Sequence, residues 1–406
     1  MQTKRIPDPN IWVIYTAILL LGIAYGISIA VLAIHLKAHG IPELAMGGLA
    51  ASFALGIASL SVPAGLAVRR FGPKATFAVA LIGYACCVSA FPLFGSIATL
   101  TIARFFDGAF SALIWVSAET ALLSRSNESN KAYVMSLYAV SIGIGYVVGP
   151  LTAAVVVPLA GTAATFVCAG VLAAASAFVV LTRFRVGDPG ESAHDKEIEA
   201  EETATSKTSA LAIIWSTKTS CFGTFAYGYF QASVVLFLPL FLIASKGVPK
   251  ERTILVTAFF AAGMLAASIF VGKLGDRYGH LLVMRSLAAV GGCMVASFVL
   301  LDSFPAMCAA VFVAGCTLAS ISPVSLALQG AIVPRRDLGR ANGLYNAAYA
   351  AGMLIGPPVS SVIFTRLGGG AMLLQLAGIW AAFVVFTLVY ASDDPGHRTP
   401  AVERRA

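Results

Sequence analysis

The chain has 406 residues, 58% of them hydrophobic and 11% charged, with a mean hydropathy of +0.86 and a formal net charge of +8. A soluble chain carries about 25% charged residues, so this composition excludes a water-soluble enzyme and describes an integral membrane protein. The basic residues are scattered over many short connections rather than gathered in one patch, which excludes nucleic acid as the partner and points to membrane topology.

Twelve apolar stretches are each long enough to cross about 30 Å of hydrocarbon as helix. They lie near 11–35, 43–67, 74–94, 98–123, 132–157, 162–182, 219–244, 252–273, 281–301, 305–331, 341–364 and 371–391. The first follows Lys4 and Arg5 but is too long for a signal core and lacks a small-residue cleavage site, so it reads as an uncleaved helix. Between spans two and three come Gly65, Arg69, Arg70, Gly72 and Lys74.

Span four carries charge inside hydrocarbon, as Arg104 and Asp107, followed by Gly108. Arginine at a helix centre costs about 2.5–3.5 kcal/mol on insertion scales. Three residues apart, the two side chains can face each other on one helix. They are either a self-neutralising structural pair or a switch in which Asp107 is protonated in one cavity state and holds Arg104 in the other. Asp107, Ser111, Trp115 and Glu119 recur every fourth residue and form one slowly drifting stripe. Glu119 lies about 18 Å along the helix from Asp107 at 1.5 Å per residue. It is either a helix-end acid paired with Arg125 or Lys131, or an inner proton-release group. Trp115 near carboxylates suits an organic cation or marks the interface.

Span five holds Gly145, Gly149 and Pro150, a spacing that permits close helix approach and then a bend. Residues 183–209 are polar and acidic and read as a cytoplasmic tether, with a short surface helix near 193–205. The expected division is a first six-helix bundle over 1–183, a linker over 184–210 and a second bundle over 211–406. In the second half the polar and aromatic candidates for a cavity wall are Tyr227 and Gln231 in span seven, Gln329 in span ten, and Asn342, Tyr345, Asn346 and Tyr349 in span eleven. Tyr229 belongs with them.

The two halves repeat each other. Gly65 and Gly72 are echoed by Gly272 and Gly279, Gly108 by Gly315, and Gly145, Gly149 and Pro150 by Gly352, Gly356 and Pro357, always at an offset of 207 (65 to 272, 108 to 315, 145 to 352). A duplicated bundle with a cavity between its copies is one physical solution for moving a solute across a bilayer. The fold expected is all-α, with twelve transmembrane helices in two pseudo-symmetric six-helix bundles.

With the N-terminus inside, only Lys37, Lys246, Lys250, Arg252 and Arg366 fall in outer connections, and Arg104 alone lies in a span; the rest of the 27 Lys and Arg are cytoplasmic. That bias puts both termini in the cytoplasm. The seven cysteines sit in or beside spans as packing residues, with no metal-ligand spacing. The five histidines, His35, His39, His194, His280 and His397, fall outside the spans, and no nucleophile–base pair is apparent, so no enzyme is expected. No phosphate-binding loop is present, so an ion gradient rather than ATP drives any concentrative transport, and no cofactor is implied.

Over essentially its whole length the chain resembles the major facilitator superfamily. Gly272, Asp276, Arg277 and Gly279 match the family's cytoplasmic-loop motif, with His280 at a usually basic position, while the first copy departs with Arg69 at the acidic position. The resemblance implies that these are gate residues, the acid facing a helix N-terminus of the other half; the partners expected here are the start of span five near Asn130 for Asp276, and Asp337 for Arg69. Arg104 and Gly108 match the span-four motif, with Asp107 where glutamine is common. The span-five motif is associated in the family with drug–proton antiporters, although Ala153 and Ala154 replace two of its usual glycines. The stretches around Trp115 to Glu119 and Tyr278 to Arg285 are similar to the YcaD-like branch of the family. The resemblance implies a proton-coupled exporter of drug-like or amphiphilic compounds in a bacterial-type inner membrane, working as a monomer. The alternative is a proton-coupled importer of a small nutrient or organic anion held by Arg104.

Overall fold

The computed structural model describes residues 8–126, 131–185, 209–334 and 337–391. Its long helices are α1 Pro9–Ala38, α2 Glu43–Phe71, α3 Pro73–Ala90, α4 Ile97–Leu123, α5 Lys131–Arg183, α7 Lys218–Lys246, α8 Lys250–Tyr278, α9 His280–Ser297, α10 Phe304–Ile332, α11 Leu338–Leu367 and α12 Gly369–Val389. A short α6, Ala210–Ser216, precedes α7. The expected linker, including its surface helix, lies outside the described residues.

α5 is 53 residues long, but Gly161 within it has φ 81° and ψ 175°, a conformation essentially restricted to glycine. The chain doubles back there. Tyr15 of α1 donates to the carbonyl of Val134 on one arm, and Ser176 on the other donates to the carbonyl of Ala17, while His35 at the far end of α1 meets Thr162 beside the turn. α5 therefore crosses twice. α8 has no charged residue from 253 to 272, enough for its own crossing. The described residues thus make twelve crossings.

Repetition governs the backbone. Among the described residues the six glycines with positive φ are Gly40, Gly72, Gly161, Gly247, Gly279 and Gly368, which form three pairs at the offset of 207 (40 to 247, 72 to 279, 161 to 368). Each ends one span and turns the chain into the next. The 3₁₀ turns Phe91–Leu93 and Phe298–Leu300 obey the same offset. So do the N-cap residues Ser96 and Ser303, whose hydroxyls accept from backbone N–H groups at the starts of α4 and α10.

Packing repeats as well. Where α2 crosses α4, a Cβ on Gly56 would stand 2.0 Å from the carbonyl oxygen of Phe105, and one on Gly108 would stand 2.0 Å from that of Phe53. Where α8 crosses α10, the corresponding values are 2.1 Å from Gly263 to Phe312 and 2.2 Å from Gly315 to Phe260. Gly145 and Gly149 of α5 lie against Gly22 and Gly26 of α1, and Gly352 and Gly356 of α11 lie against Tyr229 of α7, with Ser233 beside Gly356. Pro150 and Pro357 are inside their helices in both halves.

The halves touch where α5 meets α8, with Gly143 against Leu265, and where α2 meets α11. Away from the termini, Gly47 of α2 is pressed on Ser361 and the carbonyl of Pro357 in α11. Toward the termini the same helices have parted: among the described residues nothing lies within 4 Å of a Cβ placed on Gly65 of α2 or Gly343 of α11. The cleft is thus open on the terminus side and shut at the far end.

Gly108→Val and Gly315→Val should each destabilise the protein by about 1–3 kcal/mol or more through forced helix separation. Gly65→Ala, which meets no neighbour, should cost nothing. Thermal midpoints in detergent test this; equal losses at all three positions would contradict the crossings described.

Candidate functional site

The site grows out of the α2–α4 crossing. Because Gly108 lets Phe53 approach, the Phe53 ring lies 4.3 Å below the guanidinium of Arg104. Arg104 and Asp107 form the expected ion pair, with side chains only 15% and 10% exposed. One turn on, Ser111 donates to the Asp107 carbonyl at 2.8 Å and accepts from the Tyr25 hydroxyl of α1 at 2.8 Å. Tyr25 is the hub of an aromatic group, with ring centroids 4.7 Å from Tyr84, 6.4 Å from Trp115 and 6.4 Å from Tyr146. Among the described residues, Arg104 Nε on this wall is buried without a hydrogen-bond partner. Such an atom is costly unless a ligand or water meets it.

The second half supplies the facing wall. Tyr349 of α11 donates to Gln231 Oε1 of α7 at 2.7 Å and stacks on Tyr227 at 6.1 Å. Gln231, Tyr349 and Met353 close a cavity of ≈ 130 Å³ against Arg104, Asp107 and Trp115. The cavity therefore lies between the halves, with one buried charge pair on one side and aromatic and amide groups on the other.

Glu119 is half-buried one turn beyond Trp115, toward the open end. Arg125 is not its partner: that guanidinium binds Asp8 at 2.8 Å and the Arg185 carbonyl at 3.2 Å, and stacks over Phe184. The Lys131 side chain lies outside those described.

Of the predicted wall residues, Trp115, Gln231 and Tyr349 come together at the cavity. Ser111 and Tyr227 sit behind it, one holding Tyr25 and the other backing Tyr349. Others use their polar groups to join helices. Gln329 donates to Asn342 at 2.9 Å, and the Tyr345 hydroxyl bonds the Ser325 hydroxyl and the Ser322 carbonyl, both at 2.7 Å, tying α11 to α10. Asn346 is exposed. Tyr25, Phe53, Tyr84 and Tyr146 were not predicted. Each comes from a different helix, and only packing brings them together.

At the gate motifs, Gly72 and Gly279 turn the chain, and exposed Arg70 and Arg277 lie over Phe71 and Tyr278 at 5.4 and 5.2 Å. Asp337 is buried at the start of α11. The side chains of Arg69 and Asp276, and all of Asn130, lie outside the described residues. Two expectations change. His35 is inside α1, buried, with Nδ1 2.8 Å from Thr162 Oγ1. Arg285, expected beyond the membrane, is on α9 and donates to the Thr387 carbonyl at 2.6 Å, compensating a free carbonyl near the end of α12.

Twin helical halves around a central cavity, open at one end, define a secondary transporter working by alternating access. The chain belongs to the major facilitator superfamily, whose profile, described as Major Facilitator Superfamily, matches residues 14–249 and again 220–406. It is similar to an uncharacterized MFS-type transporter of Yersinia enterocolitica, 25% identical over 368 residues covering 90% of this chain and 92% of that one. It is also similar to the MFS-type transporter YcaD of Salmonella arizonae, 23% identical over 387 residues covering 93% and 95%. In fold it is similar to a bacterial homolog of the human lysosomal transporter Spinster in an inward-facing, occupied conformation (TM-score 0.72, 14% identity, 94% and 95% covered). A POT family transporter in complex with 5-aminolevulinic acid is similar too (TM-score 0.76, 13% identity, 94% and 96% covered).

Removing one partner of a buried pair strands the other charge at a cost of about 3–5 kcal/mol, whereas replacing both with apolar residues is often neutral. Arg104→Met and Asp107→Leu should each lower stability sharply, and the double variant should regain most of the loss. Unfolding midpoints of the four proteins check this. A double variant no better than the singles would mean the two charges are not one unit.

Proposed function

We propose that the protein is a proton-coupled antiporter that exports small drug-like or amphiphilic compounds by rocking its two halves about the central cavity. The observation that carries this reading is the Arg104–Asp107 pair on a cavity wall shared by both halves. A carboxylate that can hold either a proton or a neighbouring guanidinium is a switch: protonating Asp107 frees Arg104, and re-forming the pair expels the proton. Glu119, nearer the open end and unpaired among the described residues, is the exit group for that proton. The aromatic wall of Tyr25, Tyr84, Trp115 and Tyr146 suits a flat or cationic solute.

The expected topology, with both termini in the cytoplasm of a bacterial-type inner membrane, makes the open end cytoplasmic. Loading from the cytoplasm is what an exporter needs, and the glycine–proline motif of α5 supports the same direction. The partners are the solute, protons and the surrounding lipid, and the working unit is a monomer of two bundles, 1–183 and 211–406, joined by the linker 184–210. A second reading, import of a small nutrient or organic anion with protons, draws on the unpartnered Arg104 Nε, which would welcome an anionic group.

Proteoliposomes with an imposed pH gradient separate the two. Uptake of a lipophilic dye driven by an acidic lumen is antiport; uptake driven by an acidic exterior is symport and selects the importer. Asp107→Asn should abolish gradient-driven uptake, and Glu119→Gln should slow it at least tenfold. Unchanged proton movement in both variants removes the coupling assignment.

The gate assignment gives a separate expectation. If Arg69 pairs with Asp337 when the terminus side closes, Arg69→Asp and Asp337→Arg should each impair transport, and the combined reversal should restore it. A combined variant no better than either single one would end that pairing.

A further inference from the structure

The offset of 207 carries the central cavity wall to a second place. In the first half the wall uses Ala50 and Phe53 of α2, Cys87 and Val88 of α3, and Arg104 and Asp107 of α4. Their equivalents are Thr257 and Phe260 of α8, Met294 and Val295 of α9, and Val311 and Ala314 of α10. All six of these line another cavity, of ≈ 60 Å³, whose walls among the described residues come from the second half alone. The fold has built the same pocket twice, but its chemistry has diverged. Val311 and Ala314 stand where the first half has its ion pair.

The two cavities are neighbours, because Gln231 and Val235 of α7 line both. Gln231 is half-buried, and its amide oxygen accepts from Tyr349, so the side chains the two cavities share are one polar, Gln231, and one apolar, Val235. On one side Arg104 Nε lacks a partner among the described residues. On the other side the polar members besides Gln231 are two threonines, and Thr253 already donates to the Lys250 carbonyl at 2.7 Å. One compartment calls for a polar group. The other offers hydrocarbon contacts that an empty void forfeits and that water does not replace well.

We infer that the solute is a single-chain amphiphile whose charged head sits against Arg104 and Asp107 and whose apolar tail runs past Gln231 into the second-half cavity. The pair offers a pole for a head of either sign. The inference rests on the transport reading above and sharpens it to a solute class. Along α7 the tail compartment extends from Phe230 to Pro239, about 14 Å of helix at 1.5 Å per residue. Each methylene that enters it should raise affinity about fourfold, and the gain should stop once the compartment is full.

The test measures binding to the full protein in nanodiscs, with empty nanodiscs subtracting partition into lipid. Two homologous series are used, alkyl trimethylammonium ions and alkyl carboxylates, from butyl to hexadecyl. The expected result is a rise in affinity with chain length, then a plateau, in at least one series. Ala314→Phe, which fills the tail compartment, should abolish that rise and cost the dodecyl homologue at least tenfold more than the butyl homologue. Ala310→Leu fills less space and gives the same readout, more weakly, should the larger substitution fail to fold. If butyl homologues bind and are transported but affinity does not rise with length, the tail compartment is wrong and the transport reading stands. A rise that persists unchanged in both variants places the tail elsewhere and also overturns the inference. Failure of every homologue in both series to bind overturns it together with the amphiphile reading beneath it.

Discussion

Helices in lipid gain nothing from hiding apolar surface from one another, so they associate where small residues let backbones touch. The contact of Gly108 with the Phe53 carbonyl is such a place, and the site depends on it. Asp107 and Arg104 are on the same stretch of α4 as Gly108. The Phe53 backbone that meets Gly108 also carries the ring that lies under Arg104. Were the crossing wider, the guanidinium would lose its aromatic floor and the ion pair its enclosure. The second half makes the same crossing at Gly315 and Phe260, and there, with Ala314 and Val311 in place of the charges, the result is an apolar pocket. One packing rule thus produces two environments, decided by two side chains.

Keeping both charges on one helix has a mechanical consequence. Arg104–Asp107, Lys37–Glu43, Arg125–Asp8 and Lys246–Asp302 each join partners within a single half. Rocking of the halves need not break any of these. What it must break is the van der Waals contact of α2 with α11 at Gly47, Pro357 and Ser361, where glycine makes the surfaces fit closely without a charge to desolvate. Such a contact can open and re-form at small cost, whereas an ion pair across the cavity would bias the transporter toward one state.

The duplication was legible in the sequence because glycines are needed at fixed backbone positions and cannot drift. The three pairs of positive-φ glycines and the four crossing glycines mark equivalent places in both halves. The charge pair was legible too, since charge in hydrocarbon needs an answer nearby and Arg104 and Asp107 are three residues apart. The rest of the wall was harder. Tyr25, Tyr84 and Tyr146 come from three helices, and no spacing within any one of them signals a shared centre. Gln329, Asn342 and Tyr345 looked like cavity residues because they are polar in apolar spans. Their partners, lying on other elements, turned out to be each other and Ser322 and Ser325. A polar residue in a membrane helix has two ways to be satisfied, a ligand or a neighbouring helix, and the sequence of one helix does not distinguish them. Arg285 makes the same point, with a helix-end carbonyl as its answer.

In the proposed mechanism the stripe on α4 also orders events in space. Asp107 lies beside the shut end of the cleft, and Glu119 lies about 18 Å nearer the open end at 1.5 Å per residue. With α2 closed on α11 at the far end, a proton on Asp107 can leave only past Ser111, Trp115 and Glu119. When that contact opens and the terminus side shuts, the same carboxylate faces the other solution while Glu119 is sealed off. Asp107 then need not move to change sides. In that proposal the access switch is the contact at Gly47, and the chemical switch is the proton that competes with Arg104. Coupling follows if the freed guanidinium and the aromatic wall hold solute and proton in different states of that pair, because a ligand shifts a two-state equilibrium only through unequal affinity for its states.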